Sequence, residues 1–191
     1  EKRYVIGIEE LEEISPLFRG PIGHKFAKRM VKLFGIDKVN AVYDNSCDYT
    51  GSEFASRLLE DLGVFYRIGN PERLRRLPQG PFITISNHPY GGLDGIMLTD
   101  LFGGIRSDYK LMVNKLLSLV KTLDSHFIPV TPTTNKKLEP TVNMNSIRET
   151  IAHIKDRHPM GFFPAGAVSD FSIREMKVRD REWQESILKL I

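Results

Sequence analysis

Three things are scarce in this sequence: cysteine, long apolar runs and an excess of charge of one sign. The single cysteine, Cys47, excludes an internal disulfide and a cysteine-rich zinc site, and it fits a reducing cytoplasm. No run of about 18 apolar residues occurs, so the sequence holds no candidate transmembrane helix. The formal net charge of +3 is well below the basic balance of nucleic-acid-binding domains. The composition therefore predicts a globular protein without a nucleic-acid partner.

Short apolar runs alternate with helical patterns over the last two thirds of the chain. With 191 residues, of which 41% are hydrophobic, the chain is long enough for a substantial core. We expect strands over residues 64–68, 82–86, 109–113, 127–130 and 161–163, and helices over 93–102, 115–123, 144–155 and 180–190. Because strands separated by helices form parallel sheets, we predict an α/β fold with a mostly parallel central sheet flanked by helices.

The first third of the chain has helical periodicity and predicts an N-terminal helical cap. Thr50-Gly-Ser-Glu53 has the spacing of a capping box, which predicts a helix over about residues 51–62. We therefore divide the chain into the cap, residues 1–62, and an α/β domain, residues 63–191. We expect that domain to continue beyond Ile191.

A basic amphipathic stretch within the cap covers residues 24–34. Lys25, Lys28 and Lys32 lie opposite its apolar side, as in helices that rest on anionic membranes. The alternative is a packed helix with a solvated basic face. We expect peripheral attachment to the inner face of the cytoplasmic membrane.

The strongest signal for chemistry is the segment Phe82-Ile-Thr-Ile-Ser-Asn-His-Pro-Tyr-Gly-Gly-Leu-Asp94. A predicted strand ends before Asn87 and His88, and sites in α/β proteins form at the carboxyl ends of strands. Histidine titrates near neutral pH and can act as a general base. With His88 on the turn and Asp94 in the first turn of the next helix, the carboxylate can reach back and orient the imidazole.

The turn between these two residues contains Gly91 and Gly92. Their amides would face the same space and could bind negative charge that develops during a reaction. The alternative is that Asn87 and Asp94 are capping residues and that His88 is an ordinary loop histidine. Spacing alone does not decide between the two, although the strained character of the turn favours function.

Two blocks of this sequence resemble the glycerolipid acyltransferases related to bacterial lysophosphatidic acid acyltransferase. That family carries a His-x4-Asp pair, whereas His88 and Asp94 are separated by five residues. The second block, Gly161-Phe-Phe-Pro-Ala-Gly166, resembles the family's Phe-Pro-Glu-Gly segment. The matching residues are Phe163, Pro164 and Gly166, with Ala165 in place of the glutamate. A weaker block matches at Lys115 but lacks the arginine that the family has after the following strand.

The resemblance implies an O-acyltransferase nearest the hemolysin-like bacterial aminolipid enzymes. It implies a fatty acyl thioester of acyl-carrier protein or coenzyme A as donor, a lyso-lipid as acceptor, His88 as base and Asp94 as its partner. We expect no metal and no cofactor besides the donor. The residues expected to bind substrate are Asn87, Gly91, Gly92, Lys115, Phe163, Pro164, Ala165, Gly166 and Arg174.

The departures from the family's pattern leave the acceptor open. The family's glutamate and arginine help to position a glycerol phosphate, and both are absent at the matching positions. An aminolipid acceptor would carry a carboxylate instead, and a cation for either head group could come from Arg174, Lys177, Arg179 and Arg181. These residues could equally form a solvated basic face after a loop. A lysophospholipase-like hydrolase and a lipid-binding module without catalysis are the alternative functions.

Overall fold

The computed structural model describes residues 3–5, 7, 19–21, 23–25, 36–131 and 141–190. Its centre is a four-stranded sheet in the order β1-β4-β2-β3, in which every pair of neighbours is parallel. The strands are β1 (Ile83–Ile85), β2 (Lys110–Asn114), β3 (Phe127–Val130) and β4 (Met160–Phe162). The prediction of an α/β fold with a mostly parallel sheet is confirmed.

Helices surround this sheet and connect its strands. Over residues 36–131 and 141–190, the α-helices are α1 (Ile36–Ser46), α2 (Gly51–Asp61), α3 (Gly92–Leu98), α4 (Thr141–Lys155) and α5 (Glu185–Leu188). Helix α3 continues as a π-helical stretch, Thr99–Gly103, and three 3₁₀ segments cover Pro71–Arg76, Lys115–Leu119 and Lys121–His126. A separate antiparallel hairpin is formed by β5 (Asp170–Ser172) and β6 (Lys177–Arg179).

Helix α2 packs directly against the sheet. Its Phe54 and Ala55 are fully buried in one hydrophobic cluster with Tyr109, Leu111 and Phe127. Burial of this apolar surface is the main force that holds the helix on the sheet. The described end of the predicted cap therefore shares the core of the α/β part, while the boundary at residues 62 and 63 stays a prediction.

Most of the basic amphipathic stretch, including Lys28 and Lys32, lies outside the described residues. Among the residues that are described, no helix is both long enough and apolar enough to span a bilayer. The expected contact of this stretch with a membrane stays a prediction.

A glycine in β4 lets the layers of the core approach closely. A Cβ on Gly161 would lie 2.1 Å from the Tyr109 hydroxyl and 2.8 Å from Thr84 Oγ1. These two hydroxyls are themselves hydrogen-bonded at 2.6 Å. Gly161 thus leaves room for a polar contact beneath the strand that leads into the second sequence block.

The expected strand over residues 64–68 is wrong. The segment forms neither a strand nor a helix, and its Phe65 is 89% exposed. The Val64 N–H bonds to the Leu59 carbonyl, and the Tyr66 hydroxyl donates to Asp100. These contacts fasten the segment to the end of α2 and to the π-helical stretch, so it does not reach the sheet.

Two expected helices are also shorter or broken. The helix predicted over residues 115–123 is two 3₁₀ segments, because Val120 has a non-helical ψ of 81° between them. The helix predicted over residues 180–190 is only α5, which begins where the Gln184 N–H is bonded to the Pro164 carbonyl. The predicted cations surround the β5–β6 hairpin: Lys177 and Arg179 lie on β6, Arg174 lies in the turn, and Arg181 follows β6.

Candidate active site

Strand order brings the two motif blocks to the same edge of the sheet. Strands β1 and β4 are parallel neighbours, with Ile85 opposite Phe162. The chain leaves β1 into Asn87-His88 and leaves β4 into Phe163-Pro164. The carboxyl ends of neighbouring parallel strands are adjacent, so the blocks meet where α/β folds form their sites.

His88 and Asp94 are hydrogen-bonded, as the sequence predicts. Nδ1 of His88 lies 3.0 Å from Oδ2 of Asp94, and the same oxygen accepts the Tyr90 N–H at 2.8 Å. Asp94 is in the first turn of α3, and the φ of +64° at Gly91 lets the chain reverse before that helix. The extra residue between histidine and aspartate is therefore accommodated in the turn, and the pair still closes.

The hydrogen bond fixes which imidazole nitrogen is available. An ionised carboxylate only accepts hydrogen bonds, so Nδ1 carries the proton and Nε2 of the neutral ring is the acceptor. Nε2 has no hydrogen-bond partner within the described ranges. The His88 side chain is 17% exposed and that of Asp94 only 8%. The pair is thus a shielded carboxylate behind an imidazole whose Nε2 makes no hydrogen bond within the described ranges.

Phe163 stacks on the imidazole of His88. The ring centroids are 4.1 Å apart and the planes are inclined by 26°. This contact limits rotation of the imidazole, and an aromatic face favours the ring when it becomes positively charged. The residue that the resemblance assigned to substrate binding therefore contacts the predicted base directly.

The backbone of His88 is held from a distant part of the chain. Its N–H donates to Oδ1 of Asp180 at 3.3 Å, and its carbonyl accepts the Ser169 N–H at 2.8 Å. The Ser169 hydroxyl donates to the same Asp180 oxygen at 2.8 Å, and the Trp183 indole donates to Oδ2 at 3.3 Å. Sequence reasoning missed these residues, since no motif marks them and Asp180 was expected to begin a helix.

The remainder of the second block forms a buried turn. Pro164 and Ala165 are buried, and Gly166 has a φ of +67°. The Gln184 side chain occupies the space beside Gly166 and donates to the Ala165 carbonyl at 3.3 Å. A buried methyl stands at position 165, so this position offers no polar side chain to a head group.

The other predicted binding residues lie on the surface. Asn87 and Gly92 lie on either side of the turn that follows His88 and are exposed, and Lys115 follows the carboxyl end of β2. Arg174 is exposed in the turn of the β5–β6 hairpin. Asn87, Gly92 and Lys115 thus share the sheet edge of His88, whereas Arg174 belongs to the hairpin attached to it. Their expected roles in binding stay predictions.

An apolar cavity of about 240 Å³ opens beside the start of α3. Gly92 forms part of its wall, and a Cβ on that glycine would lie 3.7 Å from Leu117. Other lining residues include Tyr43, Phe54, Leu58, Ile96 and Leu123. Gly92 therefore belongs both to the turn that follows His88 and to the wall of this cavity.

His153 and His158 lie at the opposite edge of the sheet and are both engaged in hydrogen bonds. His158 Nδ1 is 2.6 Å from Asp108 Oδ2, and His153 Nε2 is 3.1 Å from the Pro159 carbonyl. Within the described ranges, no three histidine, cysteine, aspartate or glutamate side chains form a group that could hold a metal ion.

Comparison with known proteins gives a consistent result. The family described as Acyltransferase matches residues 18–191. A lyso-glycine lipid O-acyltransferase from Bacteroides thetaiotaomicron is 26% identical over 176 residues, which cover 89% of this chain and 61% of that relative. The chain thus spans about three fifths of the relative's length. No solved structure gave a significant match.

Proposed function

The chain belongs to the acyltransferase family, and from this premise we propose that it transfers a fatty acyl group from a thioester to the hydroxyl of a lyso-lipid. The observation that carries the proposal is the His88–Asp94 pair, with Nδ1 bonded to the carboxylate and Nε2 available as a base. The donor would be a thioester of acyl-carrier protein or coenzyme A. We propose that the reaction takes place at the inner face of the cytoplasmic membrane, where a lyso-lipid acceptor would reside.

The proposed reaction needs no acyl-enzyme. Nε2 of His88 takes the proton of the acceptor hydroxyl while its oxygen attacks the thioester carbonyl. The resulting oxyanion would be stabilised by the amides of Gly91 and Gly92. When the intermediate collapses, the C–S bond breaks, the sulfur leaves with the proton from the imidazolium, and the ester is formed. Asp94 keeps the imidazole in the required tautomer and stabilises its charged form.

The apolar cavity offers a place for the acyl chain of the donor. Gly92, in the turn that follows His88, forms part of its wall, and its lining is almost entirely hydrocarbon. A chain bound there would present its thioester carbonyl at the cavity mouth, within the region of His88. Removal of the acyl chain's apolar surface from water would supply the binding energy.

We place an aminolipid acceptor ahead of lysophosphatidic acid. The relative from Bacteroides is named for a lyso-glycine lipid, and the glutamate that the resemblance associates with glycerol phosphate is replaced by the buried Ala165. Lys115 and Arg174 are the cations proposed to meet the acceptor's head group. Asn87, beside the base, is proposed to contact its polar part.

The test is an acyl-transfer assay with purified protein, an acyl-carrier-protein or coenzyme A thioester, and two acceptors, lyso-glycine lipid and lysophosphatidic acid. We expect acylated lyso-glycine lipid from the wild type, and a loss of about 10²–10⁴-fold or more in His88→Ala, the range for general base catalysis. His158→Ala, which alters a histidine at the other edge of the sheet, is the control and should retain activity.

Three results would contradict the proposal. Near wild-type acyl transfer by a folded His88→Ala protein would show that His88 is not the general base. Release of free fatty acid without acylated lipid would identify a hydrolase. Lipid binding with no turnover for either acceptor would identify a binding module.

A further inference from the structure

The β5–β6 hairpin has an apolar face that nothing within the described ranges covers. Phe171 and Val178 are directly opposite in the register and therefore point to the same face. Two residues further toward the turn from each stand Ile173 and Met176, which are 81% and 73% exposed. Four large apolar side chains on one short hairpin exceed the scattered surface hydrophobics of ordinary proteins.

Cations accompany this face, and half of them are not neutralised. Arg179 pairs with Glu175, and Arg181 pairs with Asp170 through two hydrogen bonds. Arg174 and Lys177, close to the apolar turn, have no ion-pair partner among the residues that the structure describes. Exposed apolar side chains beside uncompensated long cations match the boundary between anionic head groups and acyl chains.

The hairpin is joined at both ends to the predicted base. Ser169, just before β5, bonds to the His88 carbonyl, and Asp180, just after β6, accepts the His88 N–H. If the hairpin binds a surface, these hydrogen bonds therefore hold His88 close to that surface. For an enzyme that acts on a lyso-lipid, the useful surface is the bilayer in which that lipid resides.

We propose that the β5–β6 hairpin inserts its apolar face into the surface of an anionic bilayer and so presents His88 to lipid substrates. Phe171, Ile173, Met176 and Val178 enter the acyl-chain boundary, while Arg174 and Lys177 extend to lipid phosphates. The statement that the hairpin presents His88 to lipid substrates rests on the proposed function. The evidence for insertion, an exposed apolar face with uncompensated cations, concerns the hairpin itself.

The experiment measures binding of the whole chain to vesicles of phosphatidylglycerol and phosphatidylcholine by flotation. Replacing both Ile173 and Met176 with serine should weaken binding by about 10-fold or more, since two large apolar side chains are lost from the contact. Replacing Arg174 and Lys177 with glutamine should weaken it and reduce its dependence on salt. Phe65→Ser removes an equally exposed aromatic residue from another surface and should leave binding unchanged.

Trp183 gives a local readout, because it is the only tryptophan in the sequence and donates to Asp180 at the base of the hairpin. Brominated lipids should quench its fluorescence in the wild type and much less in the Ile173→Ser, Met176→Ser double variant. Equal quenching in both proteins, or equal vesicle binding, would overturn the assignment. So would a dimer of the wild type that the double variant converts to monomer, because the face would then cover a second copy.

Failure of this proposal and failure of the proposed function give different results. The Ile173→Ser, Met176→Ser double variant should still acylate a detergent-dispersed lyso-lipid, whereas His88→Ala should still bind vesicles but not transfer. Vesicle binding without any acyl transfer would refute the enzyme and leave the hairpin assignment in place. If acyl transfer occurs but vesicle binding is unchanged in the hairpin variants, the hairpin assignment is refuted and the proposed function stands.

Discussion

The ring edge, the ring face and the backbone of His88 are each held by a different contact. The ring nitrogen Nδ1 bonds to Asp94, the ring face stacks on Phe163, and the backbone bonds to Ser169 and Asp180. Together these contacts fix the tautomer, the plane and the position of the imidazole. In its proposed role as base, an imidazole held in this way would lose little entropy when the acceptor hydroxyl binds, which is what preorganisation contributes to catalysis.

The tautomer can be tested by changing Asp94 to asparagine. Its amide can present an N–H toward Nδ1, which would favour the tautomer with the proton on Nε2 and remove the base. We expect the acyl-transfer rate to fall by up to about 10⁴-fold, as when the orienting carboxylate of a serine protease is replaced in the same way. Long-range ¹⁵N–¹H NMR of the histidines should show an Nδ1-protonated ring that disappears in Asp94→Asn.

Asp124→Asn serves as the matched control, because Asp124 is an exposed carboxylate in an ion pair with Lys121. It should leave both the spectrum and the rate unchanged. An Asp94→Asn protein that folds, loses the Nδ1-protonated signal and still transfers at the wild-type rate would show that the tautomer is irrelevant.

Between elements, Asp180 connects the hairpin to the turn that carries His88. Its two carboxylate oxygens accept hydrogen bonds from the His88 backbone, the Ser169 hydroxyl and the Trp183 indole. Asp180→Ala removes all three contacts and lets the turn shift, for which we expect kcat to fall by about 10- to 10²-fold with little change in KM. Asp180→Asn keeps an acceptor oxygen and should recover much of the rate.

That recovery distinguishes positioning from a merely structural role. A loss of thermal stability in Asp180→Ala, with an unchanged kcat in the fraction that remains folded, would mean that the contact holds the hairpin and not the base. Equal kcat losses in the alanine and asparagine variants would mean that the negative charge, and not the hydrogen bonds, is needed.

The extent to which the site could be predicted depends on how local each contact is. The strand, glycine turn and helix around His88 lie within one short segment, so chain geometry showed that His88 and Asp94 could meet. The stacking of Phe163 requires β4 to pair with β1, and strand order depends on packing across the whole chain. The family resemblance placed both blocks in one site, but it did not indicate that the two rings touch.

The hairpin gave no signal in the sequence because its turn contains none of the usual turn residues. Residues 173–176 are Ile-Arg-Glu-Met, without glycine, proline, asparagine or serine. Met176 adopts a φ of +50°, a conformation that no local pattern at this position predicts. The tether from Asp180 to His88 spans 92 residues of sequence and could be found only from the folded chain.

Close packing of β4 can be tested at Gly161. A methyl group there would collide with the Tyr109 hydroxyl and with Leu111, so Gly161→Ala should lower the free energy of unfolding by about 1–3 kcal/mol or more. Gly95→Ala is the matched control, because no atom from outside helix α3 lies within 4 Å of its added Cβ. The gain in helix propensity should stabilise that variant by up to about 1 kcal/mol.

Urea unfolding of both variants, followed by circular dichroism, gives the comparison. A Gly161→Ala protein as stable as the wild type would mean that the sheet relaxes around the methyl group. The interpretation of Gly161 as a packing requirement would then be wrong.

Across the whole molecule, the carboxyl and amino ends of the sheet strands carry different groups of residues. The carboxyl edge carries the His88 site, while the amino edge is tied together by ionic contacts. Arg106 pairs with Asp108 through two hydrogen bonds, and its Nη1 donates to the carbonyls of Pro78, Gln79 and Gly80. His158 contacts Asp108 from the loop before β4. These contacts join three separate segments of the chain.

This cluster makes stability depend on pH. The Arg106 guanidinium, with a smaller contribution from His158, lowers the pKa of Asp108 to about 2. In the unfolded chain an aspartate has a pKa of about 3.9, so Asp108 binds its proton more weakly in the folded state. The contribution of Asp108 is therefore fully present above about pH 4 and is lost as the pH falls toward about 2. For this partly exposed pair we expect about 1–2 kcal/mol.

The measurement is urea unfolding of the wild type and Asp108→Asn at about pH 7 and about pH 3. The variant should be less stable at neutral pH and should lose less stability on acidification, so that the two proteins converge in acid. Burial lowers the pKa of His153 nearby, and its protonation also opposes folding as the pH falls. That effect is common to both proteins and cancels in the difference between them. A constant difference across the pH range would mean that Asp108 acts through packing or geometry and not through its charge.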